Sequence, residues 1–280
     1  MSDIILKHGN SLIQHGPLSD RVYIMKLDPD ECEEVIDFVK TLATENGYSK
    51  IFAKVPISLI TTFVARGYEE EARIPELGEI PRGIAFMSNF LTKKRKKPGK
   101  TREIMKVKSA TLVRGVSRKS TSLSSDFSIR EAEITDSADL ALLYREVFAS
   151  YPFPIDDPLF IANSMTEDVR YFIIKHEGEI VAAAAAELDY DTRSVEMTDF
   201  ATNPVHRGHQ LGQILLDHME VAMIPEPIDT TYTIARAVSH GMNITFARAD
   251  YEFAGTLINN TNISGSIESM NVWYKQIVHL

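Results

Sequence analysis

The chain has 280 residues, of which 44% are hydrophobic and 25% charged, a balance typical of soluble globular proteins. This composition argues against a largely disordered chain, a collagen-like fibre or a coiled-coil rod. The single cysteine, Cys32, excludes an intramolecular disulfide and a cysteine-based zinc site, and we expect no metal. The N-terminus lacks a signal-peptide pattern, and no apolar run approaches the roughly 20 residues of a membrane span. We therefore expect a cytoplasmic protein.

The formal net charge of -9 is unevenly distributed. Between Lys93 and Lys119, twelve basic residues stand against the single acid Glu103, a local charge of +11 that leaves -20 for the rest of the chain. We interpret residues 92–126 as a basic linker or hairpin, with one strand from Ile104 to Val113. The run has little aromatic content, so nucleic-acid binding is disfavoured against docking on the acidic body.

The N-terminal segment, residues 1–91, predicts a smaller α/β domain. A helix is predicted from Pro29 to Glu45, with Asp28 as its N-cap and an apolar face at helical spacing. Acids surround the start of this helix, where a phosphate would have to bind, and no glycine-rich turn precedes it. We expect no catalysis in this domain, and a structural or pairing role.

The C-terminal segment, residues 127–280, predicts a larger α/β domain. In chain order it reads as a strand, a helix starting near Ser137, a proline-rich loop, a short helix ending at Met165, a β-hairpin and a fourth strand. A glycine-containing turn and a helix follow, then a strand, a helix and two further strands. This order indicates a mixed sheet flanked by helices.

The turn before that helix runs from Arg207 to Gly212. Unpaired N–H groups and the dipole at a helix N-terminus favour an anion there, and small residues let a phosphate approach the backbone. With the element order, this turn resembles that of the GNAT superfamily of N-acetyltransferases, whose sheet is mixed and mostly antiparallel. The sequence departs from the pattern at Gln210, where the first glycine is usual.

The resemblance implies acetyl-CoA as cosubstrate. The residues expected to bind it lie in the turn and the strand before it: Phe200, Ala201, Thr202, Arg207, Gly208, His209, Gln210, Leu211 and Gly212. Asn243, at the start of the next helix, either caps that helix or binds the coenzyme arm.

A second resemblance lies in the strings VEMTDFATNPVHRG and SHGMNITFARADYEFAGTLINNTNISGSIESMNVWYKQ. They resemble the β-lysine N-acetyltransferases. This implies acetylation of the side-chain amine of β-lysine to N6-acetyl-β-lysine, a compatible solute, with lysine 2,3-aminomutase as functional partner. A peptide, protein or other small amine is the alternative acceptor, and a non-catalytic acyl-CoA-binding module is the alternative class. A homodimer is left open.

The chemistry needs a base, because a protonated amine cannot attack a thioester. Glu196 and Asp199 precede the turn, and Glu196 matches the position of the catalytic glutamate in some superfamily members. In a regular strand residues three apart face opposite sides, whereas a bulge would change that. Either residue is a candidate base, and Asp199 is also a candidate amine ligand.

The acid that protonates the leaving thiolate is not evident, because Phe246 stands where many relatives carry a tyrosine. The candidate substitutes are Tyr232, Tyr274, His240 and Tyr251.

β-Lysine carries two amines and a carboxylate, so a specific site must offer both signs of charge. Arg236 is the candidate for the carboxylate, since a guanidinium binds one with two hydrogen bonds. Glu187 and Asp189 are candidates for the ammonium groups, while Tyr151 and Phe153 are expected to cover the acceptor.

An internal repeat is also predicted. The segment from Thr62 to Glu69 aligns without gaps on Thr245 to Glu252, and Ile51 to Val55 parallels Thr233 to Ala237. We interpret the N-terminal domain as a truncated relative of the last third of the acetyltransferase fold, with a convergent β-α-β unit as the alternative.

Overall fold

The computed structural model describes residues 3–76, 83–114 and 122–277. The N-terminal unit comprises β1 (Ile4–His8), β2 (Ser11–Gly16), β3 (Arg21–Lys26), α1 (Cys32–Glu45), β4 (Lys50–Pro56), α2 (Ile60–Ala65), β5 (Glu69–Ile74) and β6 (Ile84–Phe90). The connector comprises α3 (Lys93–Lys96) and α4 (Thr101–Arg114).

The C-terminal unit begins with one strand and two helices, continues with a hairpin, and ends with two long strands. Its elements are β7 (Phe127–Glu131), α5 (Ser137–Val147), α6 (Pro158–Met165), β8 (Val169–His176), β9 (Glu179–Asp189), β10 (Ser194–Thr202), α7 (Leu211–Met223), β11 (Thr230–Arg236), α8 (His240–Arg248), β12 (Glu252–Ile263) and β13 (Ser266–Gln276).

Within the described residues, thirteen strands form one sheet in the order β1-β2-β3-β4-β6-β5-β12-β13-β11-β10-β9-β8-β7. Only β3 with β4 and β10 with β11 are parallel, and the other neighbouring pairs in this sheet are antiparallel. The predicted fold class, a mixed and mostly antiparallel sheet flanked by helices, is confirmed. The division into two domains stays a prediction, and both units contribute to the same sheet.

The two units repeat one topology in opposite order across the sheet. β2, β3, β4, β6 and β5 occupy the places of β9, β10, β11, β13 and β12, with α1 and α2 connecting them as α7 and α8 do. The register of β5 on β6 shifts between Glu70 and Ala72, and that of β12 on β13 shifts between the equivalent Phe253 and Gly255. A bulge repeated at the same place supports the predicted repeat and extends it to five strands and two helices.

The strand registers correct one part of the predicted alignment. Lys54 lies opposite Phe86, and Ile234 lies opposite the equivalent Val272. Lys54 is therefore equivalent to Ile234 and not, as the alignment of β4 predicted, to Arg236. The error of two residues arose because β4 and β11 share little sequence beyond small and apolar residues.

The units meet where β5 pairs with β12. Ala72 lies opposite Gly255, which the repeat makes its equivalent, so an approximate two-fold axis passes through this pair. A Cβ atom on Gly255 would lie 2.2 Å from the carbonyl oxygen of Glu71. The close approach of the two strands therefore requires glycine at this position.

A buried ion pair lies beside this junction. Lys50 Nζ donates to Glu71 Oε2 at 2.7 Å and to the Ile258 carbonyl at 2.8 Å, and Glu71 Oε1 accepts from the Ile258 N–H at 2.6 Å. Both side chains of the pair are almost fully buried. The charges of the N-terminal unit thus bind directly to the backbone of β12.

Three cationic side chains hold consecutive carbonyls of β12 where its backbone departs from regular strand geometry. The donors are Lys50 to Ile258 at 2.8 Å, Arg95 Nε to Asn259 at 2.7 Å and Arg21 Nη1 to Asn260 at 3.0 Å. The register of β12 on β13 shifts across this segment, which leaves its carbonyls without regular ladder partners. Cations from outside the C-terminal unit satisfy them instead.

Apolar side chains from both units pack between the two halves of the sheet. Tyr23, Phe52 and Phe86 from the N-terminal unit lie in one buried cluster with Tyr232 and Met270. The rings of Phe86 and Tyr232 are 6.1 Å apart. The halves of the sheet therefore face each other on this side, and residues of β3 and β4 lie opposite those of β10 and β11.

The connector differs from its prediction. The predicted strand from Ile104 to Val113 is wrong, because these residues belong to α4, which packs against α8. Its buried residues are Ile104, Val107 and Thr111, at helical spacing. Part of the basic run is engaged by the protein itself, since Arg95 is buried and Lys100 pairs with Glu268 at 2.6 Å. The last part of the run, residues 115–121, lies outside the described residues.

No helix in the described ranges combines the length and apolarity that crossing a membrane requires.

Lys50→Met tests the junction. The substitution leaves the Glu71 carboxylate and the Ile258 carbonyl buried without their shared donor, so we expect a loss of about 3–5 kcal/mol in the free energy of unfolding. Urea unfolding followed by circular dichroism measures it, with Lys40→Met on the exposed face of α1 as the control. A loss below about 1 kcal/mol, equal to that of the control, would contradict the role given to the ion pair.

Candidate active site

β10 and β11 separate part-way along their length. They pair from Ser194–Thr230 to Glu196–Tyr232, and both strands continue without pairing to each other, a stretch that the structure describes in full. Backbone groups on their facing edges are therefore available to a ligand. A gap of this kind, directed at the N-terminus of α7, is able to admit an extended molecule between the strands.

The turn between β10 and α7 contains two residues in the left-handed region. Gly208 has φ +93° and Gln210, the N-cap of α7, has φ +59° and ψ +24°. The left-handed backbone explains why the superfamily pattern usually has glycine at the position of Gln210. The N–H groups of Leu211 and Gly212 lie in the first turn of α7, where a helix has no internal acceptor for them.

The turn cavity, of about 200 Å³, lies against these residues. The predicted coenzyme residues that line it are Thr202, Arg207, Gly208, Gln210, Leu211 and Gly212. The opposite wall comes from α8, with Gly241, Met242, Thr245 and Arg248, which the sequence analysis did not single out. The N–H groups of the first helical turn and two arginines suit the phosphates of a coenzyme.

Three predicted coenzyme residues do not line the turn cavity or the gap. Ala201 is buried in the core under α5, and the His209 ring lies 5.7 Å from the Phe127 ring. The Asn243 amide donates to the carbonyls of Arg236 and Ser239, and its oxygen accepts from Asn271 and Trp273. All its hydrogen-bonding capacity is used inside the protein, so the prediction that Asn243 binds the coenzyme arm is wrong.

The gap cavity, of about 140 Å³, continues from the turn cavity at Met242 into the space between β10 and β11. Phe200 lines it, as predicted for a coenzyme residue, and its ring lies edge-on to Phe246 at 5.6 Å. Together the two cavities form a path from the start of α7 toward the middle of the sheet.

The acid cavity, of about 110 Å³, lies at the end of that path and between the two units. The C-terminal unit contributes Glu187, Glu196 and Asp199, and the N-terminal unit contributes Arg21, Tyr23, Met25, Phe52 and Lys54. Asp199 and Tyr151 line both the gap cavity and the acid cavity. These two residues therefore stand at the junction between the path and the acid cavity.

A β-bulge brings the acids together. The register of β10 on β9 shifts between Thr198 and Ala201, and Asp199 has φ +55°. The bulge turns Asp199 into the cavity that Glu196 also lines, whereas a regular strand would have placed them on opposite faces. Glu196 lies directly opposite Glu187 on β9, so the three carboxyl groups share one cavity.

Burial raises the pKa of all three carboxyl groups. The pKa of Glu196 rises to about 7, although Lys54 and a hydrogen bond from Tyr232 lower it. The pKa of Asp199 rises to about 6, against the hydrogen bonds from Tyr151 and Thr198. Burial and the charge of Glu196 raise the pKa of Glu187 well above its usual value. The cavity therefore holds carboxyl groups that exchange protons near neutral pH.

The proline-rich loop covers the acid cavity. Tyr151 donates a short hydrogen bond to Asp199 Oδ1, and Phe153 lines the cavity, so both lie where the sequence analysis expected a cover. Gln14 of β2 donates to the Pro152 carbonyl at 2.8 Å. The N-terminal unit thus holds the cover in place.

Other predicted site residues lie elsewhere. Tyr274 donates to Glu252 at 2.8 Å and lines neither the gap cavity nor the acid cavity. Tyr232 lies beside Glu196 at the closed end of the β10–β11 gap, and burial raises its pKa well above the usual value. Neither tyrosine lines the gap cavity or the acid cavity, and their predicted role as acid stays a prediction.

Two of the predicted charge ligands, Arg236 and Asp189, lie next to residues of opposite charge in the protein. Arg236 pairs with the buried Glu268 at 3.5 Å and lines the gap cavity rather than the acid cavity, so its contact with an acceptor carboxylate stays a prediction. Asp189 lies 3.5 Å from Lys54 Nζ. Its pKa is lowered, because Lys54 and hydrogen bonds from Thr192 outweigh the effect of burial.

Lys54, Tyr23 and Arg21 face the acids from β3 and β4 and were not predicted from the sequence as site residues. These residues lie in the unit for which no catalysis was expected, and they carry no local motif. The internal repeat was the available signal, because it makes β3 and β4 the equivalents of β10 and β11.

Comparison with known proteins bears on the whole chain. Residues 139–241 match the Acetyltransferase (GNAT) family. Over 271 residues the chain is 40% identical to the β-lysine N(6)-acetyltransferase of Methanococcus maripaludis, covering 97% of this chain and 98% of that protein. The chain belongs to the GNAT family of acetyltransferases. The predicted family, including its resemblance to the β-lysine N-acetyltransferases, is confirmed.

One further relative and one solved structure are also similar to this chain. The N-acetyltransferase YodP of Bacillus subtilis is 29% identical over 271 residues, covering 95% of this chain and 96% of that protein. The ribosomal-protein-S18-alanine N-acetyltransferase of Escherichia coli superposes with a TM-score of 0.46 at 17% identity, covering 54% of this chain and 94% of that chain.

As a GNAT acetyltransferase, the chain is an enzyme that uses acetyl-CoA. The turn cavity and the gap cavity fit this cosubstrate, since they join an anion-binding helix N-terminus to a gap between strands. The predicted activity class and cosubstrate are confirmed.

Gln210→Gly tests whether the glutamine side chain matters to coenzyme binding. Glycine adopts the left-handed backbone without the steric strain of a side chain, which stabilises the folded state by roughly 1 kcal/mol. The larger conformational entropy of glycine in the unfolded chain offsets part of this gain. We expect unfolding stability at least equal to wild type and a CoA dissociation constant within about 3-fold by calorimetry, a difference of about 0.7 kcal/mol. The control Gly208→Ala should lose both stability and affinity. A 10-fold weaker affinity in Gln210→Gly would instead assign the side chain a direct contact.

Proposed function

We propose that the enzyme transfers the acetyl group of acetyl-CoA to the side-chain amine of β-lysine, forming N6-acetyl-β-lysine. The observation that carries the proposal is the covered acid cavity at the end of the coenzyme path. It is lined by three carboxyl groups and by the cations Lys54 and Arg21. The full-length similarity to a protein named β-lysine N(6)-acetyltransferase supports the same acceptor.

The size of the cavity favours a small acceptor over a peptide. The N-terminal unit forms one wall, and the loop of Tyr151 and Phe153 forms the cover, fastened by Gln14. A protein or peptide amine would need an open groove beside the acetyl group. A diamino acid needs only a cavity with both signs of charge.

We infer that Asp199 is the base. It lines both the gap cavity and the acid cavity, whereas Glu196 lines the acid cavity alone. Its hydrogen bonds from Tyr151 and Thr198 both end on Oδ1, and no other hydrogen bond to this carboxylate occurs among the described residues. The second oxygen is thus available to take the proton of the attacking amine.

Glu196 and Glu187 are assigned to hold the second ammonium group of the acceptor. Their side chains are neighbours across β9 and β10, three residues before Asp199 along β10. An ammonium group between them would remove the cost of two buried carboxylates side by side. When bound, acetyl-CoA supplies the acetyl group as a thioester, whose C–S bond breaks as the C–N bond forms.

The family resemblance also implies a pathway context. A lysine 2,3-aminomutase would supply β-lysine, and the product would serve as a compatible solute. The cytoplasmic location and a homodimer stay predictions.

The acceptor is tested by thiol release from acetyl-CoA with β-lysine, α-lysine and a panel of lysine-containing peptides. We expect β-lysine to give the highest kcat/KM, with the acetyl group on N6 by NMR of the product. Faster turnover of any peptide would contradict the proposed acceptor.

The base is tested by pH profiles of Asp199→Asn and Glu196→Gln. A base must be ionised, so the wild-type rate should rise as the pH passes upward through about 6. Asp199→Asn should lose kcat by about 10²- to 10⁴-fold and lose this rise. Glu196→Gln, of matched size, should raise KM more than it lowers kcat and should keep the rise. The reverse pattern would make Glu196 the base.

A further inference from the structure

A further cavity between the units, the outer cavity, has a volume of about 450 Å³ and lies where β3 and β4 separate. These strands pair from Arg21–Lys50 to Ile24–Ala53, and the outer cavity lies against their unpaired ends. Since β3 and β4 are the equivalents of β10 and β11, this space is the counterpart of the gap that receives the coenzyme in the C-terminal unit.

The outer cavity is unsuited to a second coenzyme molecule. Asp28 accepts the Asp30 N–H at 3.0 Å, and the Glu31 carboxylate accepts the Asn10 N–H at 2.9 Å, at the start of the helical segment that leads into α1. Pro29 has no N–H to offer. Carboxylates thus occupy the place where α7 presents N–H groups to phosphate.

The outer cavity instead leads to the acid cavity. Lys54 lines both, and Asp189, Asp191 and Thr192 of the C-terminal unit complete the wall of the outer cavity. The equivalent of Lys54 in the other unit is Ile234, which lies in the coenzyme gap. Lys54 therefore occupies in the N-terminal unit the position that Ile234, an apolar residue lining the gap cavity, occupies in the C-terminal unit.

Among the described residues, no polar atom lies closer than 3.4 Å to the Lys54 ammonium. Its contacts are the Tyr232 hydroxyl at 3.4 Å and Asp189 Oδ2 at 3.5 Å, both long for a charge-assisted hydrogen bond. Its side chain is 18% exposed. An ammonium group has three donors, so Lys54 retains the capacity to bind a further anion at the boundary of the two cavities.

We propose that Lys54 binds the carboxylate of the acceptor, which enters through the outer cavity, so that the N-terminal unit selects amines that carry a carboxylate at their far end. This inference rests on the proposed function, because it assigns the acceptor of the same acid cavity. It gives the N-terminal unit a part in substrate recognition beyond its role in the sheet.

The spacing of the groups matches such an acceptor. Along β10, Asp199 follows Glu196 by three residues, a rise of roughly 10 Å that the bulge shortens. Lys54 lies beside Tyr232, the residue paired with Glu196. An extended six-carbon diamino acid is of similar length, so its terminal amine would lie at Asp199 while its second ammonium and its carboxylate lie at Glu196 and Lys54.

The charges of the acceptor and the cavity are also complementary. The carboxyl groups of Glu187, Glu196 and Asp189 surround Lys54, and Arg21 is held by Gln14 and the Asn260 carbonyl. An acceptor with an ammonium two carbons from a carboxylate would place each group against the opposite charge. A diamine without a carboxylate would leave Lys54 facing a second cation.

The test compares each diamino acid with its carboxamide, which has nearly the same size but no negative charge. With the wild-type enzyme, we expect the carboxamide of β-lysine to show a KM higher than that of β-lysine by about 10- to 100-fold, as for one lost charge-assisted hydrogen bond. In Lys54→Met, the KM for β-lysine should rise by the same factor while that for the carboxamide changes less than about 3-fold. Lys54→Arg, which keeps the charge, should restore part of the preference, and Lys7→Met on β1 is the control.

The outcomes separate this inference from the proposed function. If the wild-type enzyme acetylates α-lysine rather than β-lysine, the proposed acceptor is wrong, and the same comparison with lysinamide tests Lys54. If the wild-type enzyme does not distinguish acid from amide, or if Lys54→Met raises both KM values equally, the carboxylate site is overturned. The same holds if only amines without a carboxylate are turned over.

Discussion

The rest of the structure depends on the hydrogen bonds that three cationic side chains donate to the carbonyls of β12. Lys50, Arg95 and Arg21 bind consecutive carbonyls that the irregular backbone of β12 leaves outside the ladder. The ion pair of Lys50 with Glu71 places two buried charges of the N-terminal unit against the backbone of β12. Because an unpaired charge in this position is costly, the two units are held in one relative placement. That placement brings β3 and β4 opposite β10 and β11.

The active site follows from this placement and from one bulge. The bulge at Asp199 turns a carboxyl group toward the end of the coenzyme path, and the opposing unit encloses the space around it. Enclosure removes water, which raises the pKa of Glu196 and Asp199 into the range useful for proton transfer from an amine. The two units of repeated topology thus enclose one cavity: the C-terminal unit has the coenzyme turn, and the N-terminal unit, with acids at the equivalent turn, faces the acceptor.

Much of the C-terminal unit could be predicted from its sequence, because alternation in the strands, the glycine turn and helical spacing are local signals. The helix α4 was missed, since twelve basic residues in the run from Lys93 obscured the spacing of Ile104, Val107 and Thr111. The side to which Asp199 points depends on a left-handed residue that alternation does not reveal. Lys54 could not be assigned to the site, because it meets Asp189 and Tyr232 only through contacts between units far apart in the chain.

The central claim is that the acceptor is bound by both units. A crystal structure with CoA and β-lysine tests it most directly. We expect the acceptor carboxylate within about 3 Å of Lys54 Nζ, its terminal amine at a similar distance from Asp199, and the CoA phosphates at the start of α7. An acceptor bound by residues of the C-terminal unit alone, with Lys54 still paired to Asp189, would contradict the account.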